Sequence, residues 1–316
     1  MSYTVINTKD YLTEESMAHM RNHGCDIKYH PFERMREDEI CSAIQGADAV
    51  IAGGEYYKEK VFEAAEKLKI VARVGVGVDH VDLGSASKHG VWVTNTPGAT
   101  SYGVADFTIG LMLCLVRNIP RVAQDLKNGK WNQFCGREFS SLTLGIIGTG
   151  SIGREVIKRA SGFGSKILAY DIAPDDNFSA KWKVKYVTMD ELMAQSDIVS
   201  IHCPLNEQTK GVIDERRLKL MKNDAYLVNT SRDQLVDKKA LVAMLKAKKI
   251  TGAAIDVHDT VPCSPGDPLV AMDNVIATPW TAFNTEEAIS RMCITAASEV
   301  VTVLQGLTPR YPVNQI

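Results

Sequence analysis

Three glycines in residues 144–154 (LGIIGTGSIGR) follow a short apolar run and open a helical pattern: Gly148, Gly150 and Gly153. In a strand–turn–helix unit the first glycine permits the tight turn. The second lets a pyrophosphate approach the backbone, and the third lets helix and strand pack closely. The helix N-terminus then supplies unpaired N–H groups to the phosphates. Such a triplet alone also marks any tight βα turn. What gives it chemical meaning is Asp171, which ends the next apolar run (Ile167–Tyr170) 18 residues past Gly153. An acid about 20 residues beyond the loop can hydrogen-bond a ribose diol and repel a 2′-phosphate. No arginine occurs in residues 172–176 to welcome such a phosphate. The pattern predicts NAD(H) as cofactor, rather than NADP(H).

A second chemical feature is an absence. In residues 275–287 (VIATPWTAFNTEE) a short apolar run stops at Thr278-Pro279 and delivers Trp280. In parallel α/β sheets, reactive groups sit just past the carboxyl ends of strands. Indole offers one N–H donor and no proton to exchange near neutral pH.

These groups need a scaffold, and its rhythm is readable. β-rich runs alternate with helical segments. A first group comprises Val5–Asn7, Ala49–Ala52, Ile70–Val74 and Val91–Thr94. A second comprises Leu144–Ile147, Ile167–Tyr170, Ile198–Ile201, Ala225–Val228, Ala253–Ile255 and Val275–Ala277. This predicts an α/β fold of two Rossmann- or flavodoxin-like domains with parallel sheets and a ligand cleft between them. A long apolar helix over Gly103–Lys127 should carry the chain out of the first domain, and a helix from about Thr285 to Leu304 should carry it back. The expected division is a discontinuous substrate domain (residues 1–99 plus 289–316) and an inserted NAD-binding domain (residues 100–288).

Composition narrows the function classes. The formal net charge is −2 over 316 residues, without a Lys/Arg block, which argues against nucleic-acid or anionic-membrane binding. The longest apolar stretch, Ile109–Val116, is too short to span a bilayer. The first six residues lack a basic leader and apolar core, so no signal peptide is expected. Seven scattered cysteines without a CxxC pair argue against a disulfide framework or zinc site and suit a reducing cytoplasm; no metal is expected.

Further stretches make a resemblance specific: residues 73–83 (RVGVGVDHVDL), 95–107 (NTPGATSYGVADF), 196–213 (SDIVSIHCPLNEQTKGVI), 227–237 (LVNTSRDQLVD) and 252–262 (GAAIDVHDTVP). In this order they resemble the D-2-hydroxyacid dehydrogenase family over nearly the whole chain. The resemblance implies that the N–H groups of Val76 and Gly77 hold a substrate carboxylate. Arg232 would polarise the 2-oxo group and grip the carboxylate with its planar fork. Asp256 would hold the nicotinamide carboxamide. His202, Cys203, Pro204 and Thr209 would line the adenine side. Val104, Ser151, Ile152 and Thr230 complete the cofactor contacts the resemblance implies.

The chain departs from the family where the proton moves. There, a histidine in a T-P-H pattern protonates the oxygen as hydride reaches carbon, and a glutamate five residues past the Asp256 position orients it. Here those positions hold Trp280 and Val261, and the glycine after the arginine is Asp233. Loss of a general acid costs roughly 10²–10⁴ in rate, or about 3–5.5 kcal/mol. Trp280 and Val261 should also make the pocket fuller and more apolar. Substitute acids nearby are Asp233, His258 and Tyr102, each with a packing or turn role as the alternative. The expectation is an NAD-dependent oxidoreductase of small carboxylate-bearing 2-oxo or 2-hydroxy acids, or of a related substrate, with Trp280 stacking on it. The alternative is an NAD(H)-binding sensor or scaffold that has lost turnover. A homodimer, with the Gly103–Val116 helix as interface element, is expected by resemblance.

Overall fold

The computed structural model describes residues 2–31, 37–264 and 266–316. The chain divides into two compact units, Met1–Thr100 with Asn284–Ile316, and Ser101–Phe283. The second boundary falls at 283/284 instead of 288/289. The reason is the helix Glu286–Leu304, which belongs whole to the first unit. Its N-cap Thr285 accepts from the Ala288 N–H at 3.1 Å, Glu286 and Glu287 face the dipole in the first turn, and Met292, Ala296, Ala297 and Val300 are buried.

The first unit holds β1 (Tyr3–Asn7), β2 (Cys25–Tyr29), β3 (Ala49–Ala52), β4 (Ile70–Arg73) and β5 (Trp92–Thr94). All pair in parallel, in the order β2-β1-β3-β4-β5, the flavodoxin-like arrangement. The second unit holds β6 (Thr143–Ile147), β7 (Lys166–Tyr170), β8 (Val184–Tyr186), β9 (Ile198–Ile201), β10 (Tyr226–Asn229), β11 (Gly252–Ile255) and β12 (Val275–Ala277). They too are parallel, in the order β12-β11-β10-β9-β6-β7-β8. This is the Rossmann order extended by one strand. Its direction reverses between β6 and β9, and ligands bind outside the carboxyl ends of strands at such a reversal.

Both faces of the larger sheet are covered. Leu144 and Ile146 join Met112, Leu115 and Val156 in one apolar cluster; Ile147 joins Leu192, Ile201 and Leu227 in another. The alternation along β6 is the period-2 signature of a strand buried on both sides.

Three expectations need correction. β2 and β8 were not among the expected strands. Both are sheet edges with partly exposed residues, burying only Cys25 of CDIKY and Val184 of VKY, so neither has the apolar run of a central strand. The helix expected over Gly103–Lys127 is two helices, Ser101–Arg117 and Ile119–Lys127, bent by 63°. Pro120 has no N–H for the Val116 carbonyl, which instead accepts from Arg137 N–H at 3.1 Å, and Asn118 turns left-handed at φ 52°. Finally, the first of these helices is core: Val104, Ala105, Thr108, Ile109, Leu111, Met112, Leu115 and Val116 are buried. It does not present the apolar interface expected of Gly103–Val116. Among the described residues, no single helix is long and apolar enough to cross a membrane.

Candidate functional site

The glycine turn lies at the sheet reversal, where β6 leads into the helix Ser151–Gly162. Gly148 has φ 92°, and a Cβ there would lie 2.7 Å from the Cys203 backbone nitrogen. A Cβ on Gly153 would lie 2.0 Å from the Gly148 carbonyl oxygen. These two glycines let the helix and the end of β9 close on the turn. Gly150 differs: it is the helix N-cap, and its Cβ would meet nothing within 4 Å. The space before the helix N-terminus is therefore open, as a pyrophosphate requires. Ser151 is exposed, while Ile152 packs on the core.

Asp171, at the end of β7, faces this turn. One carboxylate oxygen accepts from Thr149 N–H (2.6 Å) and Thr149 Oγ1 (2.9 Å), the other from Ala173 N–H (2.9 Å). Burial pushes its pKa up, but the N–H donors of Ala173 and Thr149 and the Thr149 hydroxyl outweigh that and hold it below the usual carboxylate range. Asp171 is thus an anion at neutral pH. Thr149 Oγ1 also lies 3.0 Å from Tyr186 Oη. Thr149 and Tyr186 join Asp171 without having been singled out in the sequence, because a hydroxyl inside a glycine loop carries no pattern of its own.

On the other side of the reversal lies the segment after β9. The imidazole of His202 is 2.9 Å from Ser200 Oγ, and desolvation pushes its pKa down to about 3, so it stays neutral. Burial pushes the Cys203 thiol up to about 11. Neither group holds a mobile proton at neutral pH. Thr209 Oγ1 donates to the Pro204 carbonyl (2.6 Å) and accepts from Asn206 N–H (2.8 Å), closing the loop.

Two turns face each other at the ends of β10 and β12. In the first, the buried Asn229 donates to the Arg232 carbonyl (2.7 Å) and accepts from Ser231 N–H (3.0 Å). Ser231 Oγ donates to the Cys203 carbonyl (2.8 Å), tying this turn to the β9 loop. Thr230 Oγ1 is 3.1 Å from Thr108 Oγ1 on the core helix, beside Val104, whose carbonyl accepts from Thr108. In the second turn, Asp256 is 1% exposed. Its Oδ1 accepts from Thr278 Oγ1 (2.6 Å) and Thr281 N–H (2.9 Å), its Oδ2 from Ala282 N–H (2.9 Å). Its carbonyl accepts from Trp280 N–H at 2.9 Å. Asp256 therefore holds the whole Thr278–Ala282 turn, a function the sequence did not disclose.

That turn puts Trp280 at φ 53°, a left-handed conformation uncommon for a bulky residue. The result is that the Arg232 guanidinium lies over the indole, 5.5 Å from its centroid, within cation–π range. The structure thus joins Arg232 and Trp280. Two of the substitute acids line a pocket that Arg232 and Trp280 do not. Asp233 and His258 line a small pocket with Lys238, Asp259 and Asp267. Burial, with Asp259 adding, pushes the Asp233 pKa up against the N–H bonds of its own turn. His258 is buried and its Nε2 donates to the Thr278 carbonyl at 2.9 Å. Tyr102 is 54% exposed, with the Arg159 guanidinium over its ring at 5.6 Å. Val261 is 73% exposed, so the expectation that it fills the pocket beside Trp280 is corrected. It lies in an exposed run, residues 259–262.

In the first unit, the loop after β4 is shaped by its own side chains. Arg73 Nε donates to the Gly77 carbonyl (3.0 Å), Asn95 Nδ2 to the Val76 carbonyl (2.8 Å), and Gly75 N–H to Thr96 Oγ1 (3.1 Å). These bonds fix the loop through its Val76 and Gly77 carbonyls.

A parallel sheet with a glycine turn and the acid Asp171 at its reversal fits an NAD(H)-binding oxidoreductase scaffold. Residues 109–282 match the D-isomer specific 2-hydroxyacid dehydrogenase, NAD binding domain. The chain is 41% identical to a glyoxylate reductase of Korarchaeum cryptofilum over 262 residues, 81% of this chain and 79% of that protein. Among solved structures it is similar to the TT0316 protein from Thermus thermophilus (TM-score 0.91, 32% identity, 98% of this chain and 99% of that one). It is also similar to an acyclic imino acid reductase in complex with NADPH and D-Arg (TM-score 0.89, 26% identity, 99% of this chain and 100% of that one). The chain belongs to the D-isomer-specific 2-hydroxyacid dehydrogenase family. It is an NAD-dependent oxidoreductase.

Proposed function

We propose that this protein reduces a small carboxylate-bearing substrate with NADH by a route that does not use a histidine proton donor at the end of β12. The observation that supports this reading is the Arg232–Trp280 pair at 5.5 Å: a cation suited to a carboxylate lies beside an indole at the position where the family resemblance puts the proton donor. Bound NADH supplies hydride. Gly150, the N-terminus of the helix it caps, and Asp171 hold the cofactor; Val104, Ser151, Ile152, His202, Cys203, Pro204, Thr209 and Thr230 shape its bed. Arg232 takes the carboxylate. Asp256 acts by fixing the turn that carries Trp280.

Without an imidazole, a carbonyl substrate lacks a ready proton for its developing alkoxide, at a cost of roughly 10²–10⁴ in rate. A substrate that brings its own proton avoids the deficit. A protonated 2-imino acid is one: hydride adds to carbon, and the nitrogen already bears its proton. The similarity to an acyclic imino acid reductase supports testing that class. The test is NADH oxidation against a panel of 2-oxo acids, with and without ammonia or small amines. Turnover on one member, lowered at least about 100-fold by Arg232→Ala, is the expected result. Background rates on every member, with NADH still bound, would refute the reading in favour of a binding protein that has lost turnover.

Pairing of two copies is proposed through the helix Ile119–Lys127 and the segment after it. No residue of that helix is buried, and Ile119, Leu126 and Trp131 are 47%, 60% and 82% exposed. Exposed apolar groups on such a helix mark an interaction surface where they join into one patch. A mass in solution equal to one chain would overturn this.

A further inference from the structure

Between β11 and β12 the chain brings together three side chains that the reductase chemistry does not use. His258, Cys263 and Asp267 offer a nitrogen, a sulfur and an oxygen that all lie within 4.8 Å of one another. Cys263 Sγ and Asp267 Oδ2 are 3.5 Å apart. A tetrahedral ion with a metal–sulfur bond of about 2.3 Å and a metal–oxygen bond of about 2.1 Å sets those two atoms about 3.6 Å apart. That edge, a thiol–carboxylate hydrogen bond here, is close to the length zinc would set, and the imidazole nitrogen lies within 4.8 Å of both atoms.

Three further features prepare the site. His258 Nε2 faces the Thr278 carbonyl at 2.9 Å. A carbonyl can only accept, so the proton sits on Nε2 and the Nδ1 lone pair is left for a metal. Donation of the far ring N–H to a backbone carbonyl is how metal-binding imidazoles are usually oriented. Asp267 is 4% exposed and fixed through Oδ1, which accepts from Leu269 N–H at 2.9 Å, while its Oδ2 accepts from Lys238 Nζ and the Cys263 thiol. The adjoining pocket is lined by Asp233, Asp259 and Asp267 against one cation, Lys238. Lys238 Nζ is 2.7 Å from Asp267 Oδ2 and 2.9 Å from Asp259 Oδ2, so Asp259 can retain the ammonium when Asp267 turns to a metal.

We propose that His258, Cys263 and Asp267 bind a zinc-type divalent ion, with a fourth position open to water. Nitrogen, thiolate and carboxylate ligands suit zinc over magnesium or calcium, which take oxygen alone. The ion clamps the β11–β12 connection on itself. Through the His258–Thr278 hydrogen bond, it braces the start of the turn that carries Trp280.

The test uses the full-length protein, stripped with chelator and titrated with Zn²⁺, and with Co²⁺ as a spectroscopic probe, beside Cys263→Ser. The expected result is one zinc per chain and a rise in Tm of about 5–10 °C at saturating zinc. Co²⁺ should show tetrahedral visible bands with a thiolate charge-transfer band. Cys263→Ser, folded by circular dichroism, should lose that band and bind zinc at least about 100-fold more weakly. No stoichiometric zinc, no thiolate band, or unchanged affinity in Cys263→Ser would overturn the proposal. None of these readouts needs turnover, so they stand apart from the fate of the reductase reading.

Discussion

Asp256→Asn should unfasten the turn that presents Trp280. In the native protein one carboxylate takes three hydrogen bonds at 2.6, 2.9 and 2.9 Å while 1% exposed. An asparagine of the same shape can keep its oxygen toward Thr278 Oγ1 and Thr281 N–H. Both bonds then lose their charge assistance, about 1 kcal/mol each, and the amide NH₂ faces the Ala282 N–H, leaving that buried donor unsatisfied for about 1–3 kcal/mol. The loss is about 3–5 kcal/mol, or roughly 6–20 °C in Tm for a unit of this size. Thr278→Val removes only the hydroxyl bond, for about 1–2 kcal/mol, and the double variant should lose less than the sum, because the two residues share that bond. Thermal unfolding by circular dichroism, with NADH oxidation on the same samples, reads both consequences. A Tm within about 2 °C of wild type for Asp256→Asn, or strict additivity with Thr278→Val, would refute the assignment of Asp256 as the anchor of this turn.

The glycine turn separates structure from cofactor binding. Gly150→Ala meets nothing within 4 Å, so Tm should hold within about 2 °C while the NADH Kd rises at least about tenfold, which is about 1.4 kcal/mol. Gly153→Ala, whose Cβ would lie 2.0 Å from the Gly148 carbonyl, should lose stability and binding together. Isothermal titration beside melting curves distinguishes the two, and equal Kd for Gly150→Ala and wild type would contradict the open cradle. Asp197 gives a pH signature. Burial pushes its pKa up, but Thr143 N–H, Lys222 and Arg137 outweigh this and hold it below the ordinary 3.8. A depressed carboxylate contributes stability above its unfolded pKa and loses it as pH falls through the folded value. Asp197→Asn should be less stable than wild type by about 1–3 kcal/mol at pH 7, with the gap closing below about pH 4. A gap independent of pH would refute this.

What the sequence disclosed and what it hid follow from distance along the chain. The glycine turn and Asp171 were legible because their chemistry is local: turn, strand and helix dictate residue type at fixed spacing. The central strands were legible as apolar runs, whereas β2 and β8, at the edges, lacked the two-sided burial that writes such a run. The helix break at Asn118 could have been read from Pro120, had its missing N–H been weighed against the apolar pattern. Asp256's grip on Thr278, Thr281 and Ala282 spans over twenty residues and leaves no spacing to read. The same holds for His258, Cys263 and Asp267. A search for CxxC pairs passes over one histidine, one cysteine and one aspartate whose convergence depends on a loop. Asp233 and His258, both plausible acids beside the site in one dimension, turn into a separate pocket.

The central claim is that the indole of Trp280 stands where a carbonyl reductase needs a proton donor. Histidine adopts left-handed backbone more readily than most residues, so Trp280→His fits the φ of 53° already present, and Val261→Glu adds the glutamate of the family pattern at a position that is 73% exposed. The direct measurement is steady-state NADH oxidation with 2-oxo acids for wild type and the Trp280→His/Val261→Glu double variant. The account predicts a gain in kcat of roughly 10²–10⁴ in the double variant, with a pH dependence that wild type lacks. A wild type that reduces 2-oxo acids as fast as the double variant would contradict it.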